Sequence, residues 1–171
     1  MYEIEAKVAI SKPDFKRLQK ELGKVAKFKG KSLKKDTYYD NPKKVFFRIR
    51  NEGRKNYLII KEKGIEKGVE ANLEMEWGIK DLNKFNKLLK KIGIKPAVQK
   101  TKKTEAYQLN GFNIELNYVA KLGYFLEIEK VVNAKTQIKK AKKDLLDIFR
   151  QFGYSQKDFE KKYYLELLQK I

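Results

Sequence analysis

Six carboxylates in this sequence come in pairs one residue apart: Glu3 and Glu5, Glu74 and Glu76, Glu127 and Glu129. A second set is cationic, with Lys7 two residues after Glu5, Arg48 and Arg50 in "VFFRIR", and Lys61 and Lys63 in "YLIIKEK". In an extended chain, residues i and i+2 share a face and stand about 6.6 Å apart. Carboxylates from neighbouring strands can therefore converge on one or two cations, and their hard oxygen donors select Mg²⁺ or Mn²⁺ over zinc. Arginines make forked hydrogen bonds to phosphate oxygens, and lysines add point charge. Carboxylates that hold a metal, faced by Arg and Lys, describe a site for a chain of phosphates. In such a site charge stabilisation does most of the catalytic work.

Composition narrows the alternatives. His 0 removes the usual general base, Cys 0 removes thiolate chemistry and disulfides, and serine occurs only at Ser11, Ser32 and Ser155. A Ser-His-Asp arrangement is thus impossible. The net charge of +19 points to an anionic partner, whether nucleic acid, an anionic membrane or a small polyphosphate. No run approaches the ~18 apolar residues of a membrane span, and Glu3 and Glu5 do not resemble a signal peptide. The expectation is a cytoplasmic protein with no membrane partner. Charged residues at 37%, rich in Lys and Glu, also resemble hyperthermophile composition, which accounts for part of the basicity without a ligand.

The elements that must position these groups follow from periodicity. Four helices are expected: about Ser11 to Leu22, ended by Gly23; Asp81 to Ile92, stopped by Gly93; Lys135 to Phe152; and a last one starting at Ser155, with Asp158 three residues on. Their apolar stripes, such as Leu82, Phe85, Leu88, Leu89 and Ile92 in the second, read as core contacts. Alternating segments give the strands: the opening "EIEAKV", "VFFRIR", "YLIIKEK", "NLEMEWGI", "NIELNYV" and "YFLEIEKV", with others near "DTYYD" and from about Gln99 to Leu109. Roughly eight strands and four helices make an α+β pattern with a largely antiparallel sheet.

Amphipathic helices need apolar surface to cover, and the strands' apolar faces are the available supply. If Ile4, Ala6 and Val8 point outward beneath helices, then Glu3, Glu5 and Lys7 are left facing the charged sides of other strands. An antiparallel sheet closed in that sense has a polar, charged interior. Burying so many charges without partners is prohibitive, so the interior must be wet and take in compensating ions.

These residues resemble the CYTH, or triphosphate tunnel metalloenzyme, superfamily, which includes class IV adenylate cyclases, thiamine triphosphatases and inorganic triphosphatases. "EIEAK" is similar to E-x-E-x-K, "DTYYDNP" to D-x-Y-Y-D-T-P, "FRIR" to L-R-x-R and "LIIKEK" to L-T-x-K. "LEMEW" resembles the central E-x-E, "ELNYVAKLGYFLEIE" resembles L-D-x-V-x-x-L-G-x-F-x-E-I-E, and "YYLELL" resembles S-Y-x-x-L-L. The matches run in family order over nearly the whole chain, taken as one domain over residues 1–171. The resemblance implies a closed eight-stranded β-barrel with about four covering helices. It also implies that Glu3, Glu5, Glu127 and Glu129 hold Mg²⁺ or Mn²⁺ and that Lys7, Arg48, Arg50 and Lys61 line a phosphate path. Lys100 and Lys102 join that path by the family's K-x-R, with Lys102 and Thr104 as the alternative alignment. Lys162, or else Lys161, matches a lysine of the C-terminal helix, and Glu3, Glu5, Lys7 and Lys162 carry the catalytic expectation. Glu74, Glu76 and Asn117 stand behind the ligands.

Two positions depart from the pattern. Asn117 stands where L-D-x-V has Asp, and Asn72 replaces an Arg common two residues before the central E-x-E. The first implies weaker binding of one metal or a different specificity. The expected function is a metal-dependent enzyme acting on a triphosphate (ATP, inorganic triphosphate or thiamine triphosphate), by cyclisation or hydrolysis. The alternatives are a non-catalytic polyphosphate or nucleotide binder and a basic nucleic-acid-binding protein.

Overall fold

Strand β1 (Tyr2–Ile10) is buried on both sides: Ile4, Ala6 and Val8 pack outward, while Glu5 and Lys7 are buried on the opposite face. That pattern requires apolar cover on one side and enclosure on the other. The computed structural model, which describes residues 1–40, 46–62, 65–66 and 68–171, supplies both. Lys63 and the Asn41-Pro42 part of "DTYYDNP" lie outside the described residues.

Eight strands close into a ring: β1, β9 (Gly123–Val132), β8 (Phe112–Val119), β7 (Lys95–Leu109), β2 (Lys27–Asp40), β3 (Phe46–Glu52), β4 (Lys55–Glu62) and β6 (Val69–Gly78), which returns to β1. Every pairing around the ring is antiparallel. Among the described residues, the two-residue β5 (Ile65–Glu66) pairs only with β6. The expected closed eight-stranded α+β barrel is therefore the observed architecture.

The main core lies between the outer face of β1, β8 and β9 and the helices α1 (Lys12–Val25) and α3 (Ile138–Gln151). Ile4, Ala6, Ile114, Leu116, Leu126 and Ile128 from the strands meet Leu18, Leu22, Leu145 and Phe149 from the helices, all fully buried. Each such Leu, Ile or Phe side chain contributes about 1.5–3 kcal/mol by leaving water, and this burial holds the charged faces inward. Ser11 caps α1 by accepting the Asp14 N–H at 3.1 Å. Helix α2 (Leu82–Lys91) lies on the other side of the barrel, with the Tyr39 hydroxyl donating to Asn86 Oδ1.

Three expectations need correction. Gly23 does not end α1, which continues to Val25 and closes through Ala26 N–H to Leu22 O at 2.9 Å. The α2 stripe is not wholly core: Leu89 is buried, but Leu88 and Ile92 are exposed. No helix starts at Ser155. Ser155 and Asp158 cap a single tight turn, then Phe159 bridges to Val8 and Glu160 N–H donates to Lys7 O. Pairing with β1 holds Phe159 and Glu160 out of a helix, and the next helix is α4 (Tyr164–Leu168). No helix among the described residues is long and apolar enough to cross a membrane.

Candidate functional site

The inward faces enclose a cavity of about 230 Å³ whose lining is almost entirely charged or aromatic. Strand register sorts its groups into distinct clusters. At one end, carboxylate oxygens of Glu3, Glu5 and Glu129 lie within 4.8 Å of one another. The pairing of Glu5 with Glu129 across β1 and β9 brings them together. Lys61, delivered from β4 opposite Glu74, hydrogen-bonds Glu3 and lies 2.8 Å from Glu74 and 3.6 Å from Glu5. Burial lowers the Lys61 pKa, yet Glu3, Glu5 and Glu74 more than offset it and hold the ammonium well above its usual range. Burial also pushes the Glu129 carboxyl up, and Glu3, Glu115 and Glu5 push the same way, so it stands well above the usual carboxylate range. Asn113, donating at 2.9 Å, opposes this only partly. A concentration of negative charge this large calls for a cation, and an all-carboxylate donor set suits a hard divalent one.

A second cluster is cationic and is organised by a carboxylate. Asp36, fully buried on β2, accepts from Arg50 Nε at 2.9 Å and lies 2.9 Å from Lys100 Nζ and 3.5 Å from Arg48 Nη1. Burial works against its ionisation, but Lys100, Arg48 and Arg50 hold it well below the usual range. Arg48 Nη1 also donates to the Tyr38 hydroxyl, while Arg48 Nε is buried with no acceptor among the described residues. An unsatisfied buried guanidinium N–H is costly, and an anion in the cavity would satisfy it.

Two further clusters tie down lysines. Lys7 is 1% exposed and is bonded to Glu70 at 2.6 Å. Glu70 also accepts from Asn72, and Asn72 in turn accepts from the Tyr163 hydroxyl. Lys102 donates to Glu115 at 2.6 Å and lies 3.5 Å from Glu127; Lys34 holds the other Glu115 oxygen at 2.9 Å. Glu127 accepts from Asn117 at 3.1 Å and from the Tyr164 hydroxyl at 2.9 Å, and Asn117 accepts from Thr104 at 2.6 Å.

The structure thus brings Glu3, Glu5, Lys7, Arg48, Arg50, Lys61, Glu74, Lys100, Lys102, Glu127 and Glu129 to one cavity, with Glu76 at its exposed edge. Among the described residues the carboxylates that meet within 4.8 Å are those of Glu3, Glu5 and Glu129, while Glu127 is held by Lys102, Asn117 and Tyr164. Lys162 and Lys161 are exposed and do not line the cavity; Tyr163 and Tyr164 are what that segment contributes. With residues 159–163 outside any helix, Tyr163 and Tyr164 take the inward positions. Sequence reasoning missed Lys34, Asp36, Glu70 and Glu115 as working residues. The signal was available for two of them, since Glu70 shares a strand face with Glu74 and Glu115 shares one with Asn117.

Known proteins are similar to this chain over nearly their whole length. A protein of Methanocaldococcus jannaschii, provisionally named an adenylate cyclase, is 29% identical over 174 residues, covering 98% of each chain. A Pyrococcus horikoshii protein of solved structure is 33% identical with a TM-score of 0.84, over 97% of this chain and 99% of that one. A Hippeastrum adenylyl cyclase candidate, described as having a dominant triphosphatase activity, shares the fold at 15% identity and a TM-score of 0.68, over 99% and 95% of the two chains. The CYTH domain family profile matches residues 1–164, and the chain belongs to that family.

Proposed function

We propose that the protein is a divalent-metal-dependent enzyme that binds a triphosphate inside the barrel. The observation that carries this reading is the pairing, within one cavity, of a three-carboxylate cluster with a buried cationic arc whose Arg48 Nε lacks an acceptor among the described residues. Glu3, Glu5 and Glu129 would hold Mg²⁺ or Mn²⁺, which when bound offsets phosphate charge and polarises a phosphoryl oxygen. Arg48, Arg50 and Lys100, fixed by Asp36, present donors to phosphate oxygens, with Lys61 and Lys102 beside them. Lys7 is reached only if it turns from Glu70. The substrate is ATP, inorganic triphosphate or thiamine triphosphate, and the cytoplasm is where such substrates are met.

The names of relatives support both cyclisation and hydrolysis. Incubation with ATP, and separately with inorganic triphosphate, in Mg²⁺ or Mn²⁺ distinguishes them: cyclic AMP with pyrophosphate marks a cyclase, and orthophosphate marks a phosphohydrolase. Glu5→Gln should abolish either product. Absence of turnover on every triphosphate tested would overturn the enzyme reading. One observation favours a second reading, a polyphosphate binder without turnover: Glu127 is held by Asn117, Tyr164 and Lys102 rather than facing the carboxylate cluster. Triphosphate binding that survives Glu5→Gln, with no product, would select it.

A further inference from the structure

Resting on the cation reading above, we infer that the barrel takes one resident divalent cation, at Glu3, Glu5 and Glu129, and that Asn117 excludes a second from the neighbouring Glu115–Glu127 pair. The two acidic groups differ in how their oxygens are satisfied. Among the described residues, Glu3, Glu5 and Glu74 share the ammonium of Lys61, and Glu129 receives the Asn113 amide. The negative charge there exceeds the positive. At the Glu115–Glu127 pair every carboxylate oxygen has a partner: Lys34 and Lys102 on Glu115, Lys102, Asn117 and Tyr164 on Glu127. Two lysines match two carboxylates, so a divalent ion entering there would have to displace ammonium groups and gain nothing in charge balance.

Asn117 fixes this outcome through the chemistry of its side chain. Its amide N–H groups point at Glu127, 3.1 Å away, and Glu115, 3.3 Å away, while Thr104 donates to its Oδ1 and so sets which end faces the carboxylates. A carboxylate in the same place would keep the Thr104 bond and turn an oxygen toward two other carboxylates. Three carboxylates against two lysines would then favour a cation. In this protein Glu115 and Glu127 instead serve as anchors that hold Lys34 and Lys102 at the cavity wall.

The test is a count of bound Mn²⁺ by electron paramagnetic resonance, titrated without triphosphate. Wild type should bind one equivalent, weakened at least tenfold by Glu129→Gln and changed less than twofold by Glu127→Gln. Asn117→Asp should bind a second equivalent, which Asn117→Asp combined with Glu115→Gln should lose. Two equivalents in wild type, or loss of the first in Glu127→Gln, would overturn the inference while leaving the cation reading intact. A single equivalent in a folded Asn117→Asp protein would overturn the role given to Asn117. No Mn²⁺ binding in wild type would overturn the cation reading itself. Circular dichroism establishes that each variant is folded, and the wild-type count and Glu127→Gln decide the matter if Asn117→Asp is not.

Discussion

Lys61 holds the carboxylates that a divalent cation needs, so the two compete. Its ammonium bonds Glu3 and sits against Glu74 and Glu5, and all three raise its pKa. Lys61→Met should therefore tighten Mn²⁺ binding in the absence of triphosphate by roughly 10–100-fold, about the free energy of one charge-assisted hydrogen bond. The same change should weaken triphosphate binding. Calorimetric titration of each ligand checks both directions; weaker Mn²⁺ binding would mean that Lys61 shapes the carboxylate cluster rather than competing for it. Protons compete at Glu129 in the same way. Burial, with Glu3, Glu115 and Glu5, raises its folded pKa above the unfolded value of about 4.3. Between those two values the folded state binds more protons than the unfolded one, so stability falls as pH rises through that window. In chelator, Glu129 should thus make the protein melt at lower temperature at neutral pH than at pH 5. Saturating Mn²⁺ should flatten that dependence, and Glu129→Gln should remove it. Melting curves from pH 5 to 8, with and without Mn²⁺, test the sign.

The elements that carry these residues were legible to different degrees, for identifiable reasons. Strands β1, β3, β6, β8 and β9 alternate cleanly because one face covers a helix and the other lines the cavity. The first part of β2, "KFKGKSLKK", shows no such alternation of residue type: lysines stand on both faces, with Lys31 and Lys35 exposed and Lys34 reaching the cavity, and pairing with β7 and β3 makes it a strand. The segment after Ser155 has a helix-start signature, yet its backbone pairs with β1, a tertiary contact that overrides local capping. That shift is why the lysine expected at 162 faces outward and two tyrosines face in. Ligand sets were partly legible for the same reason. Period-two spacing tells which residues face inward, but which carboxylates meet depends on the register between strands, which placed Glu129 beside Glu5 and Glu127 beside Lys7. The 159–163 segment also constrains its neighbour Gly68, whose φ is +83° and where a Cβ would lie 2.7 Å from Phe159 Cβ. Phe159 cannot retreat, since its ring packs 4.6 Å from that of Phe149 in the core. Gly68→Ala should cost roughly 2–3 kcal/mol through strain and overpacking, lowering the melting temperature by about 4–12 °C. An unchanged melting temperature would show that the 159–163 segment is not held against β6.

At the scale of the whole molecule, the net charge of +19 divides into two populations with different partners. Lysines such as Lys12, Lys139, Lys140 and Lys143 are exposed on helices, whereas Arg48, Lys61, Lys100 and Lys102 are each less than 10% exposed inside the barrel. Any duplex nucleic acid can meet only the first population, because the second is walled in by eight paired strands. A small phosphate chain can reach the second, where low local dielectric strengthens each contact and salt screens it less. The two modes should separate under one substitution. Arg48→Ala removes the guanidinium whose Nε lacks an acceptor among the described residues, while Arg50 and Lys100 still neutralise Asp36, so the barrel should stay closed. Triphosphate affinity should fall by roughly 10–100-fold, the range of one charge-assisted hydrogen bond. Weak duplex binding at low salt should be unchanged and should collapse on raising the salt, as expected for external lysines that release counterions. Fluorescence titrations of a labelled triphosphate and a labelled duplex, at two salt concentrations for wild type and Arg48→Ala, give all the required numbers. Parallel losses of both ligands would place them on a shared surface and remove the case for an interior phosphate site. Loss of the triphosphate alone ties recognition to the barrel interior, where β3 turns Arg48 and Arg50 inward.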